Sequence, residues 1–144
     1  MFREFGTLCL APLVLVGMVS TIRTPSHSSP VESGMIAEFQ TCERGLGAHI
    51  KASTSGYYAL GAQYGASILV GPYMLTISPR TGLSYVDHPN ENLPLRTQFE
   101  VGAQALVSRR GYHVAVDYWH LSNAGLKRPN VGMDFLSMMV GVSF

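Results

Sequence analysis

The sequence predicts an all-β protein, a small antiparallel transmembrane β-barrel. Apolar and polar residues alternate over long stretches, for example from Thr97 to Ser108, and such alternation is typical of strands with two unlike faces. Tight turns such as Arg109-Arg110-Gly111 alternate along the chain with longer loops such as Asp87 to Leu95. Long strands connected in this way are typical of barrels that cross a membrane.

The composition is consistent with one apolar domain. The chain has 144 residues, of which 47% are hydrophobic and only 13% are charged. Its formal net charge of +1 gives no overall attraction to nucleic acid, so we expect no nucleic-acid partner. The two cysteines are Cys9, in the apolar N-terminal segment, and Cys42, and they predict neither a disulfide nor a cysteine metal site.

The apolar run from Leu8 to Val19 predicts a signal peptide over residues 1–22, because it is shorter than the roughly 20 apolar residues of a spanning helix. Arg3 is the one positively charged side chain before this run, and Glu4 offsets its charge. No clean cleavage site follows the run. A retained anchor is therefore the alternative. Residues 23–33, rich in Ser and Pro, predict a flexible lead-in, which leaves residues 34–144 for the barrel.

Seven strands can be read beyond Gly34: 35–40, 46–53, 57–69, 73–86, 97–108, 112–120 and 134–144. A bacterial barrel normally has an even number of strands, and eight is the smallest closed form, so we expect eight. Either two strands are fused between Gly34 and Leu69, or the N-terminal segment is the missing strand, in which case the signal-peptide prediction fails. The alternative fold is a soluble up-and-down barrel or sandwich.

The last strand indicates which end of the barrel faces outward. An alternating strand that ends in Phe144 resembles the C-terminal signature of outer-membrane barrels, so we expect a bacterial-type outer membrane. The last strand then runs inward from Asp134, and the strand before it runs outward. This places His120, Ser122 and Asp134 together at the outer rim, on the lipid-facing side. Polar groups in that position predict a site that acts on lipid.

The same residues belong to a longer motif, His120-Leu-Ser-Asn-Ala-Gly-Leu-Lys-Arg-Pro-Asn-Val-Gly-Met-Asp134. It resembles the His-x-Ser-Asn motif and the following loop of the lipid A 3-O-deacylases, the PagL family of eight-stranded outer-membrane barrels. The resemblance implies that Ser122 is the nucleophile, that His120 is the general base and that Asp134 orients the histidine. The acid of this family is usually glutamate, so the aspartate here is one methylene shorter.

The resemblance also implies an oxyanion hole within the loop, formed by Asn123, the backbone of Ala124 and Gly125, and Asn130. Lys127 and Arg128 follow in the same loop and are weaker candidates for contacts with the phosphates of lipid A. The strong part of the motif covers the last third of the chain.

The chemistry of the trio can be stated without the resemblance. A serine hydroxyl becomes an effective nucleophile when a base takes its proton, and a neutral histidine is suited to do so. A carboxylate at the other ring nitrogen fixes the histidine tautomer, and amide donors stabilise the oxyanion by ~3 kcal/mol each. We therefore expect a carboxylic ester hydrolase that requires no metal and no cofactor.

The expected partners are the membrane and lipid A, or lipopolysaccharide, in the outer leaflet. The oligomeric state is left open between a monomer and a homodimer. The alternative function is a non-catalytic small barrel, structural or adhesive, that retains the motif.

Overall fold

The structure, a computed structural model, describes residues 11–23, 33–89, 93–128 and 132–144. Each strand pairs antiparallel with the next, and the last pairs with the first, so the sheet closes into a barrel. This confirms the predicted all-β barrel and its eight strands. They are β1 (Leu13–Arg23), β2 (Ser33–Gln40), β3 (Gly45–Ser53), β4 (Tyr57–Val70), β5 (Tyr73–Val86), β6 (Thr97–Arg109), β7 (Tyr112–Ser122) and β8 (Met133–Ser143).

The eighth strand is β1, formed by residues that the sequence analysis assigned to a signal peptide. It pairs with β2 from Leu13 opposite Gln40, and with β8 from Leu13 opposite Ser143. The barrel therefore begins at Leu13 rather than at residue 34, and the assignment of residues 13–22 to a signal peptide is wrong for this structure. No strands are fused between Gly34 and Leu69. Residues 1–10, and 24–32 of the predicted lead-in, lie outside the described residues.

The composition of β1 explains the error. Leu13, Leu15 and Val19 point inward and are buried, while outward residues of the same strand, such as Val16 and Met18, are also apolar. In a strand that is apolar on both faces, apolar and polar residues do not alternate, so its sequence resembles the apolar core of a signal peptide.

No helix long and apolar enough to cross a membrane is present among the described residues.

The two ends of the barrel differ in their connections. Residues 41–44, 71–72 and 110–111 form the turns at one end, here called the turn end. Residues 54–56, 87–96 and 123–132 connect strands at the other, here called the loop end. β7 runs toward the loop end and β8 runs away from it, so the end of β7 and the start of β8 meet there.

The outer face of the barrel is apolar, whereas its interior contains many polar and charged side chains beside apolar ones such as Leu13 and Trp119. Exposed side chains of the strands include Met18, Ile50, Leu60, Val101 and Val140, all pointing outward. The buried polar and charged side chains of the strands include Glu38, His49, Lys51, Arg80, Glu100, His113 and Asp117. This is the reverse of a soluble barrel, whose apolar residues face inward.

Two buried cations organise the interior. Arg80 Nη1 donates to Asp117 Oδ2 at 2.6 Å, and Arg80 also binds the Glu38 carboxylate. Lys51 Nζ lies 2.8 Å from Glu100 Oε1 and 3.0 Å from Asp117 Oδ2. Burial of an unpaired charge is costly, so each of these groups depends on its partner. The network links β2, β3, β5, β6 and β7 across a barrel just wide enough to be filled by side chains.

Three aromatic rings lie in the interior toward the loop end. Tyr57, Trp119 and Phe135 stack with ring centroids 5.5 to 5.8 Å apart. Lys51 Nζ lies 4.0 Å from the centroid of Trp119, which connects the rings to the ionic network. Stacked rings at this spacing stabilise the layer beyond the area that they bury.

The contact between β1 and β8 can be tested at Gly17. A Cβ at this position would collide with the backbone carbonyl of Met138, so β1 and β8 approach closely only because residue 17 is glycine. We expect Gly17→Val to prevent closure. In SDS gels of unheated samples, the compact, fast-migrating band of the wild type should be lost.

The matched control is Met18→Val, on the neighbouring residue, whose side chain is exposed on the outer face. It should keep the fast-migrating band. A Gly17→Val protein that migrates like the wild type would show that β1 is not part of the closed barrel.

Candidate active site

The last residues of β7 bring the predicted base and nucleophile to the outer face. His120 and Ser122 are two residues apart on one strand, so their side chains share a face, and both are partly exposed. On one side, His120 lies directly opposite Asp134 of β8. On the other, Ser122 lies opposite Phe99 of β6. The structure thus brings the three predicted catalytic residues together near the loop end.

His120 and Asp134 form a hydrogen bond, with 2.8 Å between Nδ1 of the ring and Oδ1 of the carboxylate. Both side chains are largely shielded from solvent, with 36% and 16% of their surface exposed. The short aspartate reaches the ring because directly opposed residues of an antiparallel pair have Cβ atoms about 5 Å apart. When Nδ1–H donates to the carboxylate, Nε2 is the nitrogen that can take a proton.

Tyr118 gives Asp134 a second partner, which the sequence analysis missed. Its hydroxyl donates to Asp134 Oδ1 at 3.0 Å, the same oxygen that contacts His120. The available signal was its position, two residues before His120 on the same strand face.

Gly132 is a second residue that sequence reasoning missed, although it belongs to the quoted motif. Its φ is +75°, a conformation that favours glycine. A Cβ here would lie 2.6 Å from His120 Nε2 and 2.6 Å from the carbonyl oxygen of Leu121. The chain before β8 therefore passes directly beside the reactive edge of the imidazole, and only glycine leaves the ring in place.

Asn123 organises the loop that follows Ser122. Its side chain is buried, its Oδ1 accepts from the Gly125 N–H at 2.9 Å, and its Nδ2 donates to the Lys127 carbonyl at 2.8 Å. Ala124 and Gly125 both have positive φ, at 52° and 82°. In this arrangement the Gly125 N–H points at the Asn123 side chain. Asn130, the fourth predicted oxyanion donor, lies outside the described residues.

The two predicted phosphate contacts lie at the surface of the same loop. Lys127 and Arg128 are both exposed. Lys127 Nζ donates to the Pro94 carbonyl at 3.4 Å, so the loop after β7 touches the loop before β6. Within the ranges that the structure describes, no group of His, Cys, Asp or Glu side chains is arranged to hold a metal ion.

Two comparisons with known proteins found a match. A family model described as lipid A 3-O-deacylase (PagL) matches residues 37–143. A solved structure titled "Crystal structure of the outer membrane enzyme PagL" is similar, with a TM-score of 0.64 and 18% sequence identity. The alignment covers 90% of this chain and 98% of that chain, and at this identity it shows the shared fold. No curated protein matches the chain.

Neither comparison supports a homodimer. The family model spans all of β3 to β8 and the end of β2, and so includes the whole of β7 and the residues of the candidate site. The chain therefore belongs to the PagL family of lipid A 3-O-deacylases.

Proposed function

We propose that this protein is an outer-membrane serine esterase that removes the ester-linked acyl chain at the 3-O position of lipid A. The observation that carries the proposal is the His120–Asp134 hydrogen bond beside Ser122, on the outer face of a barrel whose exterior is apolar. A soluble hydrolase places its site in a cleft open to water. Here the site lies on an apolar outer face, which suits a lipid substrate.

The distribution of apolar and charged residues supports the membrane location. Outward side chains along the strands are mostly apolar, while the charged residues in the middle of the strands pair with one another inside. In hydrocarbon, backbone polar groups must be satisfied internally, and a closed sheet with no free edge does this. We place the loop end at the outer surface, so that the trio lies at the level of the outer leaflet, which contains lipid A.

The proposed mechanism is based on the His120–Asp134 hydrogen bond and on the position of Ser122, two residues further on the same strand face. His120 Nε2 takes the proton of Ser122 Oγ as Oγ attacks the ester carbonyl carbon of the substrate. Asp134 holds the ring through Nδ1 and stabilises the imidazolium. The tetrahedral intermediate collapses when Nε2–H protonates the sugar oxygen, which leaves the acyl chain on Ser122. A water molecule, deprotonated by His120, then releases the chain as a fatty acid.

We further propose that the loop after Ser122 stabilises the oxyanion, with donors from Asn123, Ala124, Gly125 and Asn130. The buried side chain of Asn123 fixes the turn in which Ala124 and Gly125 present their amides. Because the Gly125 N–H donates to Asn123 Oδ1 in this structure, its use by an oxyanion requires that bond to be exchanged. Lys127 and Arg128 are proposed as contacts for substrate phosphates.

The alternative of a non-catalytic barrel that retains the motif is not favoured. That alternative required the side chain of Asp134 to be too short to reach His120. Asp134 makes this contact at 2.8 Å and is itself held by Tyr118.

The central test is Ser122→Ala on purified protein in detergent with lipid A as substrate. Mass spectrometry of the wild-type reaction should show lipid A lighter by one acyl chain, lost from the 3-O position, with the fatty acid released. Ser122→Ala should give no product above background, since the nucleophile is lost.

Ser143→Ala, at the turn end of β8, is the control and should act like the wild type. Unaltered lipid A in the presence of folded wild-type protein would refute the proposed function.

Tyr118→Phe tests whether the tyrosine positions the acid. Removing its hydroxyl leaves Asp134 with one hydrogen bond fewer, and such bonds to charged groups contribute about 1.5–3 kcal/mol in protected sites. Because Tyr118 is 43% exposed, we expect a smaller loss, about threefold to tenfold in kcat, with KM and the free energy of unfolding little changed.

Tyr112→Phe is the matched control, on the same strand and face but at the turn end, and should keep the wild-type kcat. An equal kcat for Tyr118→Phe and the wild type would show that the tyrosine has no positioning role.

A further inference from the structure

A shallow, open groove of about 390 Å³ lies on the outer face of the barrel, on the side of Ser122 away from Asp134. It crosses the loop-end halves of β3, β4 and β5 and reaches Thr97 at the start of β6. Its walls are mainly apolar. The outward side chains that line it include Ile50, Ala52, Tyr58, Leu60, Leu83 and Tyr85.

The strand register places this groove level with the nucleophile. Leu60 of β4 lies opposite Leu83 of β5, and Leu83 lies opposite Phe99 of β6. Phe99 in turn lies opposite Ser122 of β7. Adjacent strands are about 4.8 Å apart, so the Leu83 wall of the groove is about 10 Å from Ser122 across the surface. The exposed ring of Phe99 separates the two.

A cation is fixed at the loop end of the groove. Arg96 is exposed and directly precedes Thr97. Its Nη1 donates to the Tyr85 hydroxyl at 2.9 Å and to the Asp87 carbonyl at 2.9 Å. The Tyr85 hydroxyl and the backbone carbonyl of Asp87 are both neutral, so they orient the guanidinium without cancelling its charge. Arg96 thus presents a positive charge at the point where the apolar groove meets the loops.

We propose that the groove and Arg96 form a second subsite for the lipid substrate. The groove holds an acyl chain other than the one that is cleaved, and Arg96 binds an anionic phosphate of the headgroup. The inference rests on the proposed function, and it assigns recognition of a substrate phosphate and of a second acyl chain to residues outside the catalytic trio. The groove cannot hold the reacting ester, because its nearest apolar wall is two strands away from Ser122.

The charge and shape of this region favour a substrate lipid over a general membrane contact. An apolar outer face alone would be covered by any lipid. A fixed guanidinium above an apolar groove matches a phosphate above an acyl chain, and arginine suits phosphate because its planar fork can donate two hydrogen bonds. Because the groove is level with Ser122, one multi-chain lipid can fill both subsites at once.

The test measures binding of purified lipid A to the inactive Ser122→Ala protein in detergent, so that turnover does not intervene. Adding Arg96→Gln should weaken binding about tenfold, since a charge-assisted contact is lost. Adding Ala52→Trp should weaken it similarly by filling the groove. In the Ser122-containing enzyme, both changes should raise KM for lipid A by a similar factor, with a smaller effect on kcat.

Matched controls exist for both changes. Arg110→Gln alters an exposed arginine in a turn at the opposite end of the barrel. Ala66→Trp places the same bulky side chain on β4, opposite Ile77 and nearer the turn end, outside the groove. Both should bind lipid A like the parent protein. With lipid A from which the phosphates have been removed, Arg96→Gln should have no effect.

Unchanged binding in both Arg96→Gln and Ala52→Trp would overturn the proposal. So would an equal loss of binding to phosphatidylglycerol micelles, which would show that the groove is a general lipid contact. One further outcome is that the wild type fails to cleave lipid A while Arg96→Gln and Ala52→Trp still weaken lipid A binding. That result would refute the proposed function and support the subsite.

Discussion

The structure depends on the pairing of β1 with β8. This pairing closes the sheet, so that no strand of the described barrel is left with an unpaired edge. It also places β8 between two neighbours, with β7 on one side and β1 on the other. The position of Asp134 opposite His120 is therefore held from both sides of the strand. A barrel open at this point would leave the acid on an edge strand, where its register is weakly specified.

Strand alternation connects the interior of the barrel to the site on its outer face. Trp119 faces inward between Tyr118 and His120, and Phe135 faces inward next to Asp134. These two rings lie opposite each other in the register of β7 and β8 and stack at 5.5 Å. Behind them, Lys51 connects the rings to the buried carboxylates. The outward residues are thus backed by a packed and paired interior, which limits their freedom to move apart.

Much of the fold and of the site could be predicted because both follow from the alternation of side chains between the two faces of a strand. The alternation in β6, β7 and β8 revealed these strands, and the same parity put His120, Ser122 and Asp134 on one face. The fold of β1 could not be read, because Leu13, Leu15, Val16 and Met18 are apolar on both of its faces. The contacts of Tyr118 and Gly132 could not be predicted from the sequence, although Tyr118 shares the strand face of His120. They depend on the register in which β7 pairs with β8, which local patterns do not encode.

The most direct test of the account is whether Ser122 is an activated nucleophile. Purified protein in detergent can be treated with a serine-reactive fluorophosphonate, and the modified peptide can be identified by mass spectrometry. The account predicts one adduct, on Ser122, formed about 100-fold or more slowly in His120→Ala, since the base is lost. A Ser122 that stays unmodified in the folded wild-type protein, or that reacts equally fast without His120, would contradict it.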